Sequence, residues 1–131
     1  MKRDGLLNPQ LNQAIARLGH TDTFAICDCG LPLPPQARII DLTLIHGVPS
    51  FEQVAEAILK EVVIEKVTIA TQTPDVIINT LPADAPITKI DHEDFKKQMT
   101  ALSSFALVLP RLMQTRFITV ESRFNSFEEL L

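Results

Sequence analysis

Residues 50–70, SFEQVAEAILKEVVIEKVTIA, place a helix and a strand back to back. Ser50 with Gln53 three positions later is a capping box. Behind it Phe51, Val54, Ala55, Ile58, Leu59 and Val62 recur at helical spacing. Val63-Ile64 and Val67-Thr-Ile-Ala70 then make a strand.

The same alternation continues outward in both directions. Toward the N-terminus, Arg38-Ile-Ile-Asp-Leu42 and Phe24-Ala-Ile-Cys27 read as strands, separated by Gly30-Leu-Pro-Leu-Pro-Pro35. Three prolines cannot share a ladder, so that segment is a loop. Before them, Asn8 is a suitable N-cap with Pro9 at the first helical position. Leu11, Ile15 and Leu18 line one face, and Gly19 ends the helix. Toward the C-terminus, 71–86 contains three prolines and is ambiguous around Asp75-Val-Ile-Ile78. Thr88-Lys-Ile90 is a short strand candidate. Asp91 caps a helix through Phe95 and Met99, with Glu93 and Asp94 in its first turn, and Phe105 to Leu109 is a further strand. Helix and strand signals in alternation predict one layered α/β/α domain with a mainly parallel central sheet.

Composition bounds the function. The 131 residues suffice for one domain with its own core. Aromatics are 5%, all Phe, which disfavours nucleic-acid binding by base stacking. The net charge of −4 disfavours a phosphate-backbone partner. No apolar run reaches the roughly 18 residues of a membrane span, and no charged leader with an apolar stretch opens the chain. The expectation is a cytoplasmic protein with reduced thiols and no membrane or nucleic-acid partner. Walker, G-x-G-x-x-G and G-x-S-x-G motifs are absent from the sequence.

Three polar residues at element ends remain as candidates. His20 follows the helix stop in Leu18-Gly-His-Thr-Asp22 and can equally be a surface residue. Asp28 ends a strand, where ligands of open α/β sheets bind, or else caps the following turn. His92 opens a helix, whose N-terminus favours a neutral imidazole, or is simply a first-turn residue. Cys27 and Cys29 alternate onto the face opposite Asp28 and read as packing rather than as metal ligands. His46 is a loop residue.

Taken together, Leu7-Asn8, Leu18-Gly-His-Thr-Asp22, Asp28 with Gly30-Leu-Pro-Leu-Pro34, Ile40-Asp-Leu42, Gly47-Val-Pro-Ser-Phe51 and His92-Glu-Asp-Phe-Lys96 resemble the D-ribose pyranase family, which includes the L-fucose mutarotases. The Gly-Leu-Pro-Leu-Pro stretch resembles the ribose branch. The resemblance implies cofactor-free and metal-free interconversion of the β-pyranose and β-furanose forms of D-ribose, in cytoplasmic ring-shaped homo-oligomers, commonly decamers, with sites near subunit contacts. It implies His20 as the catalytic proton donor and Asp28 and His92 as sugar-binding residues. The alternatives are a catalytically impaired sugar-binding or assembly subunit of the same fold, or a mutarotase for a related sugar such as L-fucose.

Residues 109–131 depart from that pattern. The family's Arg-Thr-Gly-Glu and Tyr-Ala-Asn segments, the latter a sugar contact, have no counterpart, and the chain has no Tyr. Phe117, Ile118 and Val120 can still supply a strand. Leu112-Met-Gln-Thr115 can be encoded by CTT-ATG-CAA-ACN. Read from the third base of the Leu codon, that string gives TAT-GCA-AAC, which is Tyr-Ala-Asn. Pro110-Arg-Leu112 permits Thr-Pro just before it in the same frame. The reading is a frame lost after about Val108. Sequencing the coding DNA checks it: we expect codons that restore Tyr-Ala-Asn in the shifted frame, and codons incompatible with it contradict the reading.

Overall fold

The computed structural model describes residues 1–19, 22–28, 33–99, 105–109 and 117–122. The elements follow in the order α1 (Pro9–Ala16), β1 (Thr23–Asp28), β2 (Arg38–Asp41), α2 (Phe51–Leu59), β3 (Ile64–Ala70), α3 (Asp75–Ile78), β4 (Ile87–Ile90), α4 (His92–Met99), β5 (Phe105–Leu109) and β6 (Phe117–Ser122).

Local chemistry explains the helix starts. The Asn8 side chain accepts the Leu11 N–H at 3.0 Å. Ser50 and Gln53 close the capping box in both directions, at 3.1 and 3.0 Å. The helix that follows ends at Leu59 rather than at Val62, which still packs on the core from beyond the helix. The ambiguous stretch at 75–78 is a single helical turn opened by Pro74, a position where its fixed φ and missing N–H cost nothing. Ahead of α1, Leu6 N–H donates to Glu61 Oε1 at 2.9 Å, and Lys2 Nζ donates to the Leu6 carbonyl at 3.0 Å. Gly5 makes this approach possible: its φ is +73°, and a Cβ there would meet Glu61 Oε1 at 2.5 Å.

The six strands form one sheet in the order β2-β5-β1-β6-β3-β4. The β1–β5, β2–β5 and β3–β4 pairs are parallel, whereas β6 is antiparallel to both β1 and β3. Five strands therefore share one direction, and β6 alone is reversed. The sheet is thus mainly parallel, as the alternating pattern predicts.

Alternation along β1 divides the core. Phe24 and Ile26 join Leu11, Ala14, Phe51, Ala55, Ile58 and Ile77 on the face covered by α1, α2 and α3. Ala25 and Cys27 join Phe95 and Met99 of α4 on the other face. The layers are α/β/α. Phe24 stacks on Phe105 with ring centroids 5.0 Å apart. On the same face Val120 of β6 lies in register between Phe24 and Val67, and all three are fully buried. Among the described residues no helix is long and apolar enough to cross a membrane.

A carboxylate at Val120 would enter this row without a partner. Val120→Asp is expected to destabilise the fold by at least about 3 kcal/mol. Val63→Asp, at a position 50% exposed, is expected to stay within about 0.5 kcal/mol of the parent. Urea titration of the two variants checks the contrast.

Candidate functional site at the sheet edges

The five co-directional strands end on one edge of the sheet. Asp28 closes β1 there and is buried, at 5% exposure. It stands in register with Leu109, the last residue of β5. By alternation its side chain projects to the face of Phe24 and Ile26, away from Cys27, which is buried in the α4 layer.

His92 reaches the same edge by another route. β4 ends at Ile90, whose carbonyl accepts Thr71 N–H at 2.8 Å and so ties the ends of β3 and β4 together. Asp91 then caps α4. Its Oδ2 accepts Glu93 N–H at 3.0 Å, and its carbonyl accepts Phe95 N–H at 2.9 Å. His92, Phe95 and Met99 fall at i, i+3 and i+7, one stripe of the helix. Phe95 and Met99 are buried against Ala25, Cys27 and Ala70. That packing holds the first turn, and with it the half-buried His92, at the carboxyl edge.

The third candidate is placed differently. His20 itself lies outside the described residues, as do Cys29 and the 30–32 part of the proline loop. Its flanking residues are clear. Asp22 directly precedes Thr23, the first residue of β1, and Gly19 is hydrogen-bonded to Asp22, so both sit at the amino edge. The six residues of β1 separate that edge from Asp28 by roughly 17 Å of strand. Within one chain, Asp28 and His92 share an edge, and Gly19 and Asp22 occupy the opposite one.

Two acidic residues with local roles were not among the sequence candidates. Asp22 Oδ2 accepts Gly19 N–H at 2.8 Å. At the end of β2, Asp41 accepts both the hydroxyl and the backbone N–H of Thr43, the latter at 2.8 Å. The signals were Gly-x-x-Asp after a helix stop and Asp-x-Thr after a strand, both common spacings for side chain-to-backbone turns. Among the described residues no cluster of three or more His, Cys, Asp and Glu could hold a metal ion.

Residues 1–109 match the model of the RbsD / FucU transport protein family. The chain belongs to this family. A D-ribose pyranase of Corynebacterium glutamicum is 52% identical over 99 residues, covering 76% of this chain and 79% of that one. A D-ribose pyranase of Geobacillus thermodenitrificans is 46% identical over 103 residues, covering 74% and 78%. Among solved structures, Bacillus subtilis RbsD complexed with D-ribose superposes with a TM-score of 0.83 at 28% identity, covering 96% of this chain and 100% of that one. His20, Asp28 and His92 all lie inside the family match, which stops at Leu109.

The Asp41 turn predicts a pH effect. The Thr43 hydroxyl, and then the Thr43 backbone N–H, hold the Asp41 carboxyl below its ordinary value of 3.8. A depressed folded-state pKa contributes stability above the unfolded value, and that contribution is lost as pH falls through the folded one. Thr43→Val removes the hydroxyl bond. Chemical denaturation is expected to find the variant less stable at neutral pH, with the gap to the parent narrowing once pH drops below 3.8.

Proposed function

We propose that this chain is a sugar isomerase of the D-ribose pyranase type, acting without a cofactor on the β-pyranose and β-furanose forms of D-ribose. The observation that carries the reading is the 52% identity to a D-ribose pyranase over 76% of the chain, together with the presence of all three candidate residues inside the family match over residues 1–109.

The chemistry suits these side chains. Opening a cyclic hemiacetal requires loss of the anomeric hydroxyl proton and delivery of a proton to the ring oxygen. Closure through a different hydroxyl repeats the exchange. In this reading His20 donates the proton, a task for which an imidazole titrating near neutrality serves in both directions. Asp28, buried at a strand end, accepts hydrogen bonds from sugar hydroxyls, and His92 orients another.

Assembly follows from the division of the site. Gly19 and Asp22, which flank His20 in the sequence, belong to the amino edge, whereas Asp28 and His92 belong to the carboxyl edge. A homo-oligomer that sets the amino edge of one subunit against the carboxyl edge of the next would bring them around one sugar. Leu44, Ile45 and Val48 are 74%, 64% and 44% exposed in the loop after β2, which supplies apolar surface for such contacts. In this reading the working form is a single-domain subunit in a cytoplasmic ring, a decamer as the resemblance implies.

The altered tail bears on competence. Residues 110–116 connect β5 to β6, and the ends of those strands flank β1: Leu109 pairs with Asp28, and Phe117 with Cys27. The connection therefore departs from and returns to positions on either side of Asp28. The missing Tyr-Ala-Asn would have been carried here, so the sugar site loses one wall and turnover falls.

Saturation-transfer NMR between the ring forms of D-ribose tests the proposal. The purified chain is expected to accelerate exchange, more weakly than a D-ribose pyranase carrying Tyr-Ala-Asn. His20→Ala is expected to lose about 10²–10⁴-fold of that acceleration. Exchange unaffected by His20→Ala contradicts the role of His20, and turnover equal to that of such a pyranase contradicts the effect of the tail.

A further inference from the structure

His92 stands at the junction between the sheet and α4, and Asp91 makes that junction. Behind it, the Ile90 carbonyl accepts the Thr71 N–H at 2.8 Å and fixes the end of β4 to the end of β3. Ahead of it, Asp91 Oδ2 accepts the Glu93 N–H at 3.0 Å, and the Asp91 carbonyl accepts the Phe95 N–H at 2.9 Å. The first of these two bonds closes over His92, the one residue between donor and acceptor. The other carboxylate oxygen, Oδ1, faces Gln72 Nε2 beyond the end of β3 at 3.5 Å, a long and therefore weak contact. The carboxylate meets the helix through one oxygen and the neighbouring strand end through the other.

Packing and capping act on α4 at different places. Phe95 and Met99, buried against the sheet, fix the helix from three and seven residues past His92. The Asp91 cap acts directly beside it. The leading N–H groups of a helix have no carbonyl four residues back, and a side chain that accepts from one of them holds the first turn closed. Without that acceptor the turn frays, and the half-buried imidazole at the first helical position gains freedom. A hydrogen bond to a ligand suffers from this, because it weakens steeply as its distance and angle depart from the optimum.

We propose that Asp91 is a positioning residue for His92: hydrogen-bond acceptance by Oδ2, rather than charge, holds the first turn of α4 so that the imidazole meets a sugar hydroxyl. The proposal rests on the reading of His92 as a sugar-binding residue. Asp91 does not contact the sugar in this account, and its loss acts on affinity through His92.

Two variants separate acceptance from charge. Asp91→Asn keeps an oxygen able to accept the Glu93 N–H and is as good a cap as Asp, whereas Asp91→Ala has no acceptor. Saturation transfer over a range of D-ribose concentrations is expected to give a KM raised by up to about tenfold in Asp91→Ala, the worth of one hydrogen bond. The change in kcat is expected to be smaller, and both constants to stay near the parent's in Asp91→Asn. A cycle with His92→Ala shows whether the loss runs through His92: in that background Asp91→Ala is expected to add less than about twofold. A cap with a structural role alone costs the same in both backgrounds, and that result overturns the proposal. So does a parent-like KM in Asp91→Ala, or an equal loss in Asp91→Asn. A parent-like KM in His92→Ala instead removes the sugar-binding role of His92, and the proposal with it.

A readout on the free protein does not depend on turnover. The Glu93 amide is expected to exchange with solvent faster in Asp91→Ala than in the parent and Asp91→Asn. The scalar couplings that report His92 χ1 are expected to move toward those of a freely rotating side chain in Asp91→Ala alone. Unchanged Glu93 exchange and unchanged His92 couplings in Asp91→Ala also overturn the proposal.

Discussion

The sheet depends on one reversed strand. β2, β5 and β1 form a parallel set, and β3 and β4 form another, but no ladder joins the sets directly. β6 joins them, pairing with β1 over Thr23–Cys27 and with β3 over Ile64–Ile69. Val120 fills the gap between Phe24 and Val67, and the Phe24–Phe105 stack continues the buried row into β5. Exposed edges of two smaller sheets would otherwise meet across open backbone groups, which a fold rarely tolerates in its interior. The helices of both layers pack on this joined surface.

That constraint acquires its interest from where β6 comes. The family match stops at Leu109, and β6 lies beyond it. The stretch beyond the family match provides the strand on which the sheet closes. Phe117, Ile118, Thr119 and Val120 have the β-branched and aromatic character a central strand needs, and a period-two pattern needs few correct residues to place one side chain inward. The requirements of the sheet and of the site thus come apart. A valine at one register position serves the sheet, whereas the sugar site proposed above needs particular polar groups.

Much of the local architecture was readable from the sequence because its causes are local. The Ser50–Gln53 capping box, Asn8 and Pro9 at the head of α1, and Asp91 ahead of His92 each act within one turn of chain. The alternation of Phe24 and Ile26 against Ala25 and Cys27 announced a strand with two buried faces. The 75–78 turn stayed ambiguous because four residues are too few for a period and prolines surround them. The place of β6 between β1 and β3 has no local signature, since strand order is set by crossovers. The same holds for the site. Asp28 and His92 could be picked as element ends, but their shared edge follows from strand direction. The Gly19–Asp22 bonds went unread because a Gly-x-x-Asp spacing is too common to single out.

Amide hydrogen exchange followed by NMR tests the role of β6 most directly. If β6 joins the two sets of strands, the amides of Thr119 and Val120 will exchange as slowly as those of Ala25 and Ile26 in β1, and all will open in one global event. Rapid exchange of the Thr119 and Val120 amides while β1 and β3 stay protected would contradict the account.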